Sequence, residues 1–165
     1  MTTLSIITVV YNCASGFKRT YDSITTQTFT DIEWIVIDGG STDGTVEFIQ
    51  EHQRHISFWC SEPDNGIYDA MNKGISKATG EWITFLNADD TYTADNILSN
   101  IFVKQNIQKT NFIYTDMFLV NVNNKPVRAI PAEKLTRCSI NKGRIACHQG
   151  MFIKREHCPH YNLSL

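Results

Sequence analysis

Two kinds of apolar pattern alternate along the first two thirds of the chain. Short runs rich in Ile, Val, Phe and Trp are typical of strands that are covered on both faces in a parallel sheet. Between them, apolar residues recur every three or four positions, as on one face of a helix. The predicted strands lie at 4–10, 32–37, 58–60 and 82–86. The predicted helices lie at 15–27, from about 45, at 65–78 and at about 96–106. This alternation predicts an α/β fold with a mostly parallel, Rossmann-like sheet flanked by helices.

The same periodicity predicts which helical side chains face the core. They are Phe17, Tyr21, Ile24 and Thr28 in the first helix, and Ile67, Met71, Ile75 and Ala78 in the later one. Ser41 or Thr42 is expected to cap the helix that begins near Thr45. Farther on, an apolar run at 112–120 followed by a polar turn at 121–125 predicts a strand that enters a hairpin.

Size and composition favour one globular domain over residues 1–165. Apolar residues make up 42% of the chain and charged residues 19%, which are ordinary globular values. The net charge of -2 gives no basic field of the kind that attracts nucleic acid, so nucleic acid is excluded as an expected partner. Five scattered cysteines without a C-x-x-C pair are typical of reduced thiols, and a cytoplasmic location is expected.

Three polar clusters follow predicted parallel strands. They are Tyr11–Asn12, Asp38–Gly44 and Asn87–Asp90. Ligands of open α/β sheets bind beyond the carboxyl ends of the strands, so the three clusters are expected to share one crevice. Asp38 is placed there to accept hydrogen bonds from a base or a ribose, although a turn with a capping Asx residue explains this cluster equally well.

Adjacent carboxylates at Asp89 and Asp90 suit a divalent cation such as Mg²⁺, which one or two carboxylates and substrate phosphates can hold. The alternative is a solvated turn that caps the helix at Asn96. On the helix at 65–78, Lys73 is a candidate phosphate ligand, although an exposed helical lysine is more often simply solvated.

The last 20 residues hold another potential site. Its members would be Cys147, His148, His157, Cys158 and His160. Their spacing fits no standard structural zinc pattern, which leaves zinc a weak alternative. His148 by itself is a candidate for holding an acceptor hydroxyl near the crevice, against the alternative of an ordinary half-buried histidine.

Several blocks in the first half of the chain agree in order and spacing with one known family. They are Ser5–Asn12, Trp34–Thr45, Ser61–Ile75, Gly80–Glu81 and Phe85–Asp90. Covering most of residues 4–90, they resemble the family 2 glycosyltransferases, and within that family bacterial enzymes of colanic acid and related exopolysaccharide or lipopolysaccharide assembly.

The resemblance implies a GT-A fold, here cut short at the C-terminus, with residues 1–90 as the donor half and 91–165 as the start of an acceptor half. It also implies a hexosyltransferase that uses a nucleotide-diphospho-sugar donor, Mg²⁺ or Mn²⁺, and inversion at the anomeric carbon. The acceptor would be a saccharide or a lipid-linked saccharide. Peripheral membrane association of the full protein, at the inner face of the membrane, is left open.

The resemblance also assigns roles by position. Val9 and Tyr11 would contact the base, Asp38 the base and ribose, and Asp89 the metal that bridges the diphosphate, while His148 matches an acceptor-side histidine. The expected donor-binding residues are Thr8, Val9, Tyr11, Asp38, Asn72, Lys73 and Asp89, and the expected metal ligands are Asp89 and Asp90.

The sequence departs from the family pattern in two ways. Asn87 stands where the family's Asp-x-Asp metal motif begins, and the family's general base, a carboxylate after the histidine block, is expected to lie beyond Leu165. A non-catalytic nucleotide-sugar-binding module or partner subunit is therefore the main alternative. A nucleotidyltransferase is disfavoured, because Val9–Ser15 lacks a glycine-rich basic signature.

Overall fold

The computed structural model describes residues 2–121, 123, 125–132 and 148–162. The strands in these ranges are β1 Leu4–Val10, β2 Ile32–Asp38, β3 Phe58–Ser61, β4 Trp82–Phe85, β5 Phe112–Tyr114, β6 Met117–Val120, β7 Pro126–Ile130 and β8 Met151–Lys154. The α-helices are α1 Ala14–Thr25, α2 Thr45–His52, α3 Ile67–Lys77 and α4 Ile97–Phe102. Short 3-10 turns occupy Gln53–His55, His148–Gly150 and Arg155–His157.

A six-stranded sheet in the order β3-β2-β1-β4-β8-β5 forms the centre of the described fold. The first four of these strands run parallel to one another, whereas β8 runs antiparallel to both β4 and β5. β6 and β7 pair antiparallel in a separate ribbon. The predicted α/β class with a mostly parallel sheet is therefore confirmed.

Helices cover both faces of this sheet. On one face, α1, α2 and α4 pack on alternate side chains of the strands, around fully buried Phe17, Trp34 and Trp82. On the other face, α3 packs through Met71 and its neighbours on the remaining side chains. Because β1 and most of β2 are covered on both faces, their sequences are almost continuously apolar.

Two element boundaries differ from the predictions. The run at 112–120 is not one strand, because Thr115 N donates to Gly150 O (2.9 Å) at the end of β5 and the chain then turns into the β6–β7 ribbon. The predicted hairpin at 121–125 is confirmed by that ribbon. The helix predicted at 96–106 ends at Phe102.

The predictions for two core positions and for one helix cap were wrong. Thr28 is exposed because α1 ends at Thr25, and the buried Gln27 side chain instead donates to Ala94 O (2.7 Å). Ile67 is 49% exposed because it begins α3, where it lies beyond the strands that the helix covers. Neither Ser41 nor Thr42 caps α2; that helix begins after Gly44, which has φ 98°.

Glu33 on β2 ties three segments together. It accepts hydrogen bonds from Ser5 Oγ (2.6 Å) on β1 and from Thr79 N (2.8 Å) and Oγ1 (2.9 Å) before β4. Burial raises the pKa of Glu33, but these hydrogen bonds outweigh it and place the pKa below its usual value. The carboxylate therefore contributes stability above the unfolded pKa of about 4.3, and this contribution is lost as the pH falls through the folded value.

Replacing Glu33 by Gln should lower the free energy of unfolding at neutral pH by about 1 kcal/mol, because an amide cannot accept at both oxygens. The difference from the native protein should shrink as the pH falls below about 4.3 and disappear below the folded pKa of Glu33. Urea unfolding at several pH values measures both effects. Glu51→Gln, an exposed change on α2, is the matched control, and equal losses in the two variants would contradict the prediction.

Candidate functional site

The carboxyl ends of the parallel strands meet at one edge of the sheet. Val10, Asp38 and Ser61 are aligned across β1, β2 and β3. Although β4 ends earlier, the chain after it continues along β1, with Leu86 N bonded to Ile7 O (3.0 Å) and Ala88 N to Val9 O (3.1 Å). The loops after all four strands therefore open on the same side, as the sequence predicted.

Asp38 is completely buried at this edge, and its carboxylate is occupied by its own surroundings. One oxygen, Oδ2, accepts from Gly40 N (3.1 Å), Ser41 N (2.9 Å) and Ser61 Oγ (2.6 Å). The other oxygen accepts from Ser41 Oγ. These bonds satisfy the charge without a cation. The structure thus places Asp38 as the anchor of its loop rather than as an exposed acceptor.

The loops after β1 and β2 are cross-linked by short polar side chains. Asn12 N donates to Ser41 Oγ (2.8 Å), and Thr42 N donates to Asn12 Oδ1 (2.9 Å). Asp43 accepts from Ala14 N (2.9 Å) at the start of α1. It also accepts from N (3.2 Å) and Oγ1 (2.5 Å) of the first residue of α2. The pKa of Asp43 is lowered chiefly by the hydroxyl bond and then by the α1 amide. One carboxylate thus serves the starts of two helices.

Tyr11, Gly39 and Asp64 pack closely together at this edge. Tyr11 is 65% exposed. A Cβ atom added to Gly39 would lie 3.3 Å from Tyr11 Cδ2 and 2.8 Å from Asp64 Oδ2, so glycine is what lets both side chains lie against the backbone here. An exposed ring beside bare backbone can receive a flat group such as a nucleobase.

The turn Asn87–Asp90 packs on the first turns of α1. Asp89 has a left-handed φ of 80°, and its N donates to Thr20 Oγ1 (3.0 Å). Its carboxylate Oδ1 accepts from Arg19 Nε (2.7 Å) and lies 2.5 Å from Arg19 Nη2 in an ion pair. The side chain of Asp89 is 55% exposed. Since the same helix begins at the Asp43 carboxylate, its first turn lies between the loop after β2 and the turn after β4.

The oxygen atoms of this turn suit a hard divalent cation. Burial, and next the charge of Asp89, raise the pKa of Asp90 to about 6; a cation would reverse this effect. Asn87 Oδ1 is buried and has no hydrogen-bond partner among the described residues. No group of three or more His, Cys, Asp or Glu side chains arranged for a metal occurs in the described ranges. A cation here would need ligands from a substrate or water.

Two expected donor-binding residues lie in the core. The Thr8 side chain is fully buried, where its hydroxyl donates to Leu86 O (2.8 Å) and accepts from Trp34 Nε1 (2.9 Å). Val9 packs in the core layer under α3. The Thr8 hydroxyl has a structural role instead, because it tethers the segment that leads from β4 to the turn Asn87–Asp90.

The two candidates on α3 are also engaged within the chain. Asn72 donates from Nδ2 to Tyr161 O (2.9 Å) and accepts at Oδ1 from Tyr161 N (2.7 Å). It thereby holds the segment after β8 against α3 instead of facing the crevice. Lys73 Nζ lies 2.8 Å from Glu62 Oε1 and 3.8 Å from Asp69 Oδ2. The Glu62 hydrogen bond is the main cause of the raised pKa of Lys73.

The structure describes the backbone of His148, which opens the turn before β8. Because β8 runs antiparallel to β4, this turn lies at the same edge as Asn87–Asp90. Cys147 lies outside the described residues. His157 follows β8 at its opposite end, where it stacks on Phe112, so the structure does not support the zinc alternative.

Sequence reasoning missed the part that α1 takes in the site. Gly16, Arg19 and Thr20 all contact the turn that carries Asp89. A glycine in the first turn of an otherwise regular helix, followed by polar residues three and four positions later on the same face, was the available signal.

Comparison with known proteins identifies relatives of this arrangement. Residues 5–157 match the model of "Glycosyl transferase family 2". A PGL/p-HBAD biosynthesis glycosyltransferase of Mycobacterium bovis is 33% identical over 155 residues, which are 92% of this chain and 59% of that protein. An uncharacterized glycosyltransferase of Mycobacterium tuberculosis is 40% identical over 98 residues, 59% of this chain and 37% of the relative. The chain thus spans less than two thirds of these relatives.

Solved structures show the same fold. The mannosyltransferase PcManGT from Pyrobaculum calidifontis, in complex with GDP-Man and Mn²⁺, aligns with a TM-score of 0.66 and 21% identity over 93% of this chain and 44% of that one. TarS 1-349 from S. aureus, in complex with UDP-GlcNAc, aligns with a TM-score of 0.65 and 21% identity over 75% and 37% of the two chains. The expected GT-A fold is confirmed.

Replacing Asp38 by Asn should lower the free energy of unfolding by about 3 kcal/mol, because the amide group presents hydrogens to buried donors that need an acceptor. Chemical denaturation at neutral pH measures the loss. Asp22→Asn, at an exposed position of α1, serves as the control. A loss no larger than that of the control would contradict the anchoring role of Asp38.

The raised pKa of Asp90 predicts a pH-dependent free energy of unfolding in the absence of divalent cations. Its folded pKa of about 6 lies above its unfolded value of about 3.9. The stability associated with the protonated acid is therefore complete below the unfolded pKa and is lost as the pH rises through the folded value. Asp90→Asn should raise the free energy of unfolding at pH 7.5 by about 1–2 kcal/mol and leave it unchanged near pH 4. Denaturation in EDTA tests this. A difference between Asp90→Asn and the native protein that is the same at both pH values would refute it.

Proposed function

The chain belongs to glycosyl transferase family 2, and we propose that it binds a nucleotide-diphospho-sugar and takes part in transfer of the sugar to an acceptor with inversion. The observation that carries this proposal is the juxtaposition of an exposed aromatic side chain and a carboxylate turn on either side of the first turn of α1. A nucleoside and its diphosphate need these two features at one sheet edge.

The surface beside the exposed Tyr11 ring is the proposed site of the base. A base can stack on the exposed Tyr11 ring while bare backbone at Gly39 and Gly40 approaches the nucleoside. Asp38 acts by holding that backbone in place. Lys73 is a further proposed donor contact, reached only when a phosphate competes with Glu62 for its ammonium group.

The proposed cation, Mg²⁺ or Mn²⁺, would be held by Asp89 and Asp90, with Asn87 Oδ1 as a neutral oxygen ligand. When bound, such a cation neutralises negative charge on the diphosphate leaving group. The protein residues contribute in another way: Thr20 and Gly16 of α1 fix the turn, so the Asp89 carboxylate is already oriented toward the crevice. Ligand oxygens held in place before binding lose little freedom when they bind.

The acceptor side is proposed from His148, whose backbone lies at the same edge, with residues 1–90 as the donor half and 91–165 as the start of the acceptor half. We further propose a saccharide or lipid-linked saccharide acceptor and a role in cell-surface polysaccharide biosynthesis; one relative is a mycobacterial PGL/p-HBAD biosynthesis glycosyltransferase. We place the protein in the cytoplasm, with membrane contact by the full protein as part of the proposal. No helix in the described ranges has the length and apolar character to cross a membrane.

A non-catalytic nucleotide-sugar-binding module is the second candidate. It is favoured by two observations: an amide replaces a carboxylate at Asn87, and a guanidinium pairs with Asp89. Both candidates bind the donor, and they differ in turnover. Release of UDP or GDP from a nucleotide-sugar in the presence of acceptor distinguishes transfer from binding alone.

Isothermal titration with UDP and with GDP, each with and without Mn²⁺, tests the donor site. Binding should require Mn²⁺, and Asp89→Asn should weaken it about tenfold or more, because a charge-assisted ligand is lost. Asp95→Asn removes the same charge at an exposed position and should bind like the native chain. A folded native chain that binds neither nucleotide would exclude the proposed donor site.

A further inference from the structure

Helix α1 holds the turn that carries the proposed metal ligand through Gly16 and, one helical turn later, through Arg19 and Thr20. A Cβ atom on Gly16 would lie 2.9 Å from Asp89 Cβ, so the turn packs directly on the helix backbone. Thr20 Oγ1 accepts from Asp89 N (3.0 Å) and donates to Asp90 O (2.9 Å). These two contacts fix the backbone of the turn and its left-handed residue. The third residue, Arg19, contacts the Asp89 carboxylate itself.

Arg19 binds the carboxylate in an unequal way. Its Nε and Nη2 atoms both approach Asp89 Oδ1, at 2.7 Å and 2.5 Å, whereas Oδ2 has no hydrogen-bond partner within the described ranges. A paired arrangement would place one nitrogen on each oxygen. The side chains of Arg19 and Asp89 are 41% and 55% exposed. Ion pairs this exposed contribute only about 0–1 kcal/mol, so this one is easily exchanged.

A divalent cation and the Arg19 guanidinium compete for the same carboxylate. A cation at Asp89 would repel a positive charge 2.5 Å from Oδ1. The diphosphate that accompanies the cation offers the guanidinium a better partner, because its planar fork matches phosphate oxygens. Asn87 is neutral, so the carboxylates of the turn are those of Asp89 and Asp90, and a bound divalent cation would balance both charges and leave none to retain Arg19.

We propose that Arg19 is a diphosphate-binding residue that pairs with Asp89 in the free protein and moves to the donor's diphosphate when a cation binds Asp89. The inference rests on the proposed function and adds a residue that pairs with each ligand in turn. It means that Arg19 opposes binding of the cation alone and favours binding of the cation together with a nucleoside diphosphate.

The test compares Arg19→Gln with Lys18→Gln, which removes the same charge from the adjacent, exposed position of α1. Binding of Mn²⁺ alone is measured from the EPR signal of free Mn²⁺, and binding of UDP and GDP in saturating Mn²⁺ by calorimetry. Relative to Lys18→Gln, Arg19→Gln should bind Mn²⁺ alone about 2- to 5-fold more tightly. Of UDP and GDP, it should bind the one that the native protein prefers about tenfold more weakly. Arg19→Lys, which keeps the charge without the fork, should fall between native and Gln in nucleotide binding.

The outcomes distinguish a failure of the proposed movement of Arg19 from a failure of the proposed donor site. Native protein that binds a nucleotide with Mn²⁺, while the Arg19 and Lys18 variants behave alike, overturns the role of Arg19 and leaves the proposed function intact. Parallel loss of Mn²⁺ and nucleotide affinity in Arg19→Gln also overturns it, since that is the result of a merely structural role. Native protein that binds neither nucleotide overturns the proposed function and this inference together.

Discussion

The site depends on one buried charge that is satisfied without a cation. The Asp38 carboxylate is fully enclosed, and a buried carboxylate is tolerable only if several donors surround it. The loop that follows β2 supplies most of these donors from its own backbone and from Ser41, which in turn accepts from Asn12 N. The need to solvate this charge therefore dictates the course of the loops after β1 and β2.

Helix α1 connects these loops to the opposite side of the crevice. Asp43 at the end of the same loop binds the first turn of α1, and α1 in turn supports the backbone of Asp89 through Thr20. One helix thus positions both the loop after β2, where the base is proposed to bind, and the turn Asn87–Asp90, where the cation is proposed to bind. Such coupling suits a ligand whose two ends must be recognised at a fixed separation.

Sequence reasoning placed the strands and the clusters at their ends because fully buried strands have an unmistakable apolar pattern and parallel strands share one functional edge. It was less successful with single polar residues. Thr8 and Asn72 were expected at the donor. The Thr8 hydroxyl instead donates a hydrogen bond inside the core, and Asn72 holds a backbone segment that is distant in sequence. A polar side chain near a motif has the same letter whether it faces a ligand or a buried carbonyl. Arg19 was missed because its partner lies 70 positions away in the chain.

Charge balance around Asp89 bears on how a turn with one fewer carboxylate would hold the proposed cation. With Asn87 neutral, the turn holds the carboxylates of Asp89 and Asp90, and burial and the charge of Asp89 raise the pKa of Asp90 to about 6. Arg19 pairs with Asp89 in the free protein and so lessens the repulsion between these two carboxylates beside α1. A bare cation meets an occupied carboxylate, whereas a cation that arrives with a diphosphate provides the guanidinium with a new partner. The same contacts that stabilise the free turn therefore favour joint binding of cation and diphosphate over binding of the cation alone.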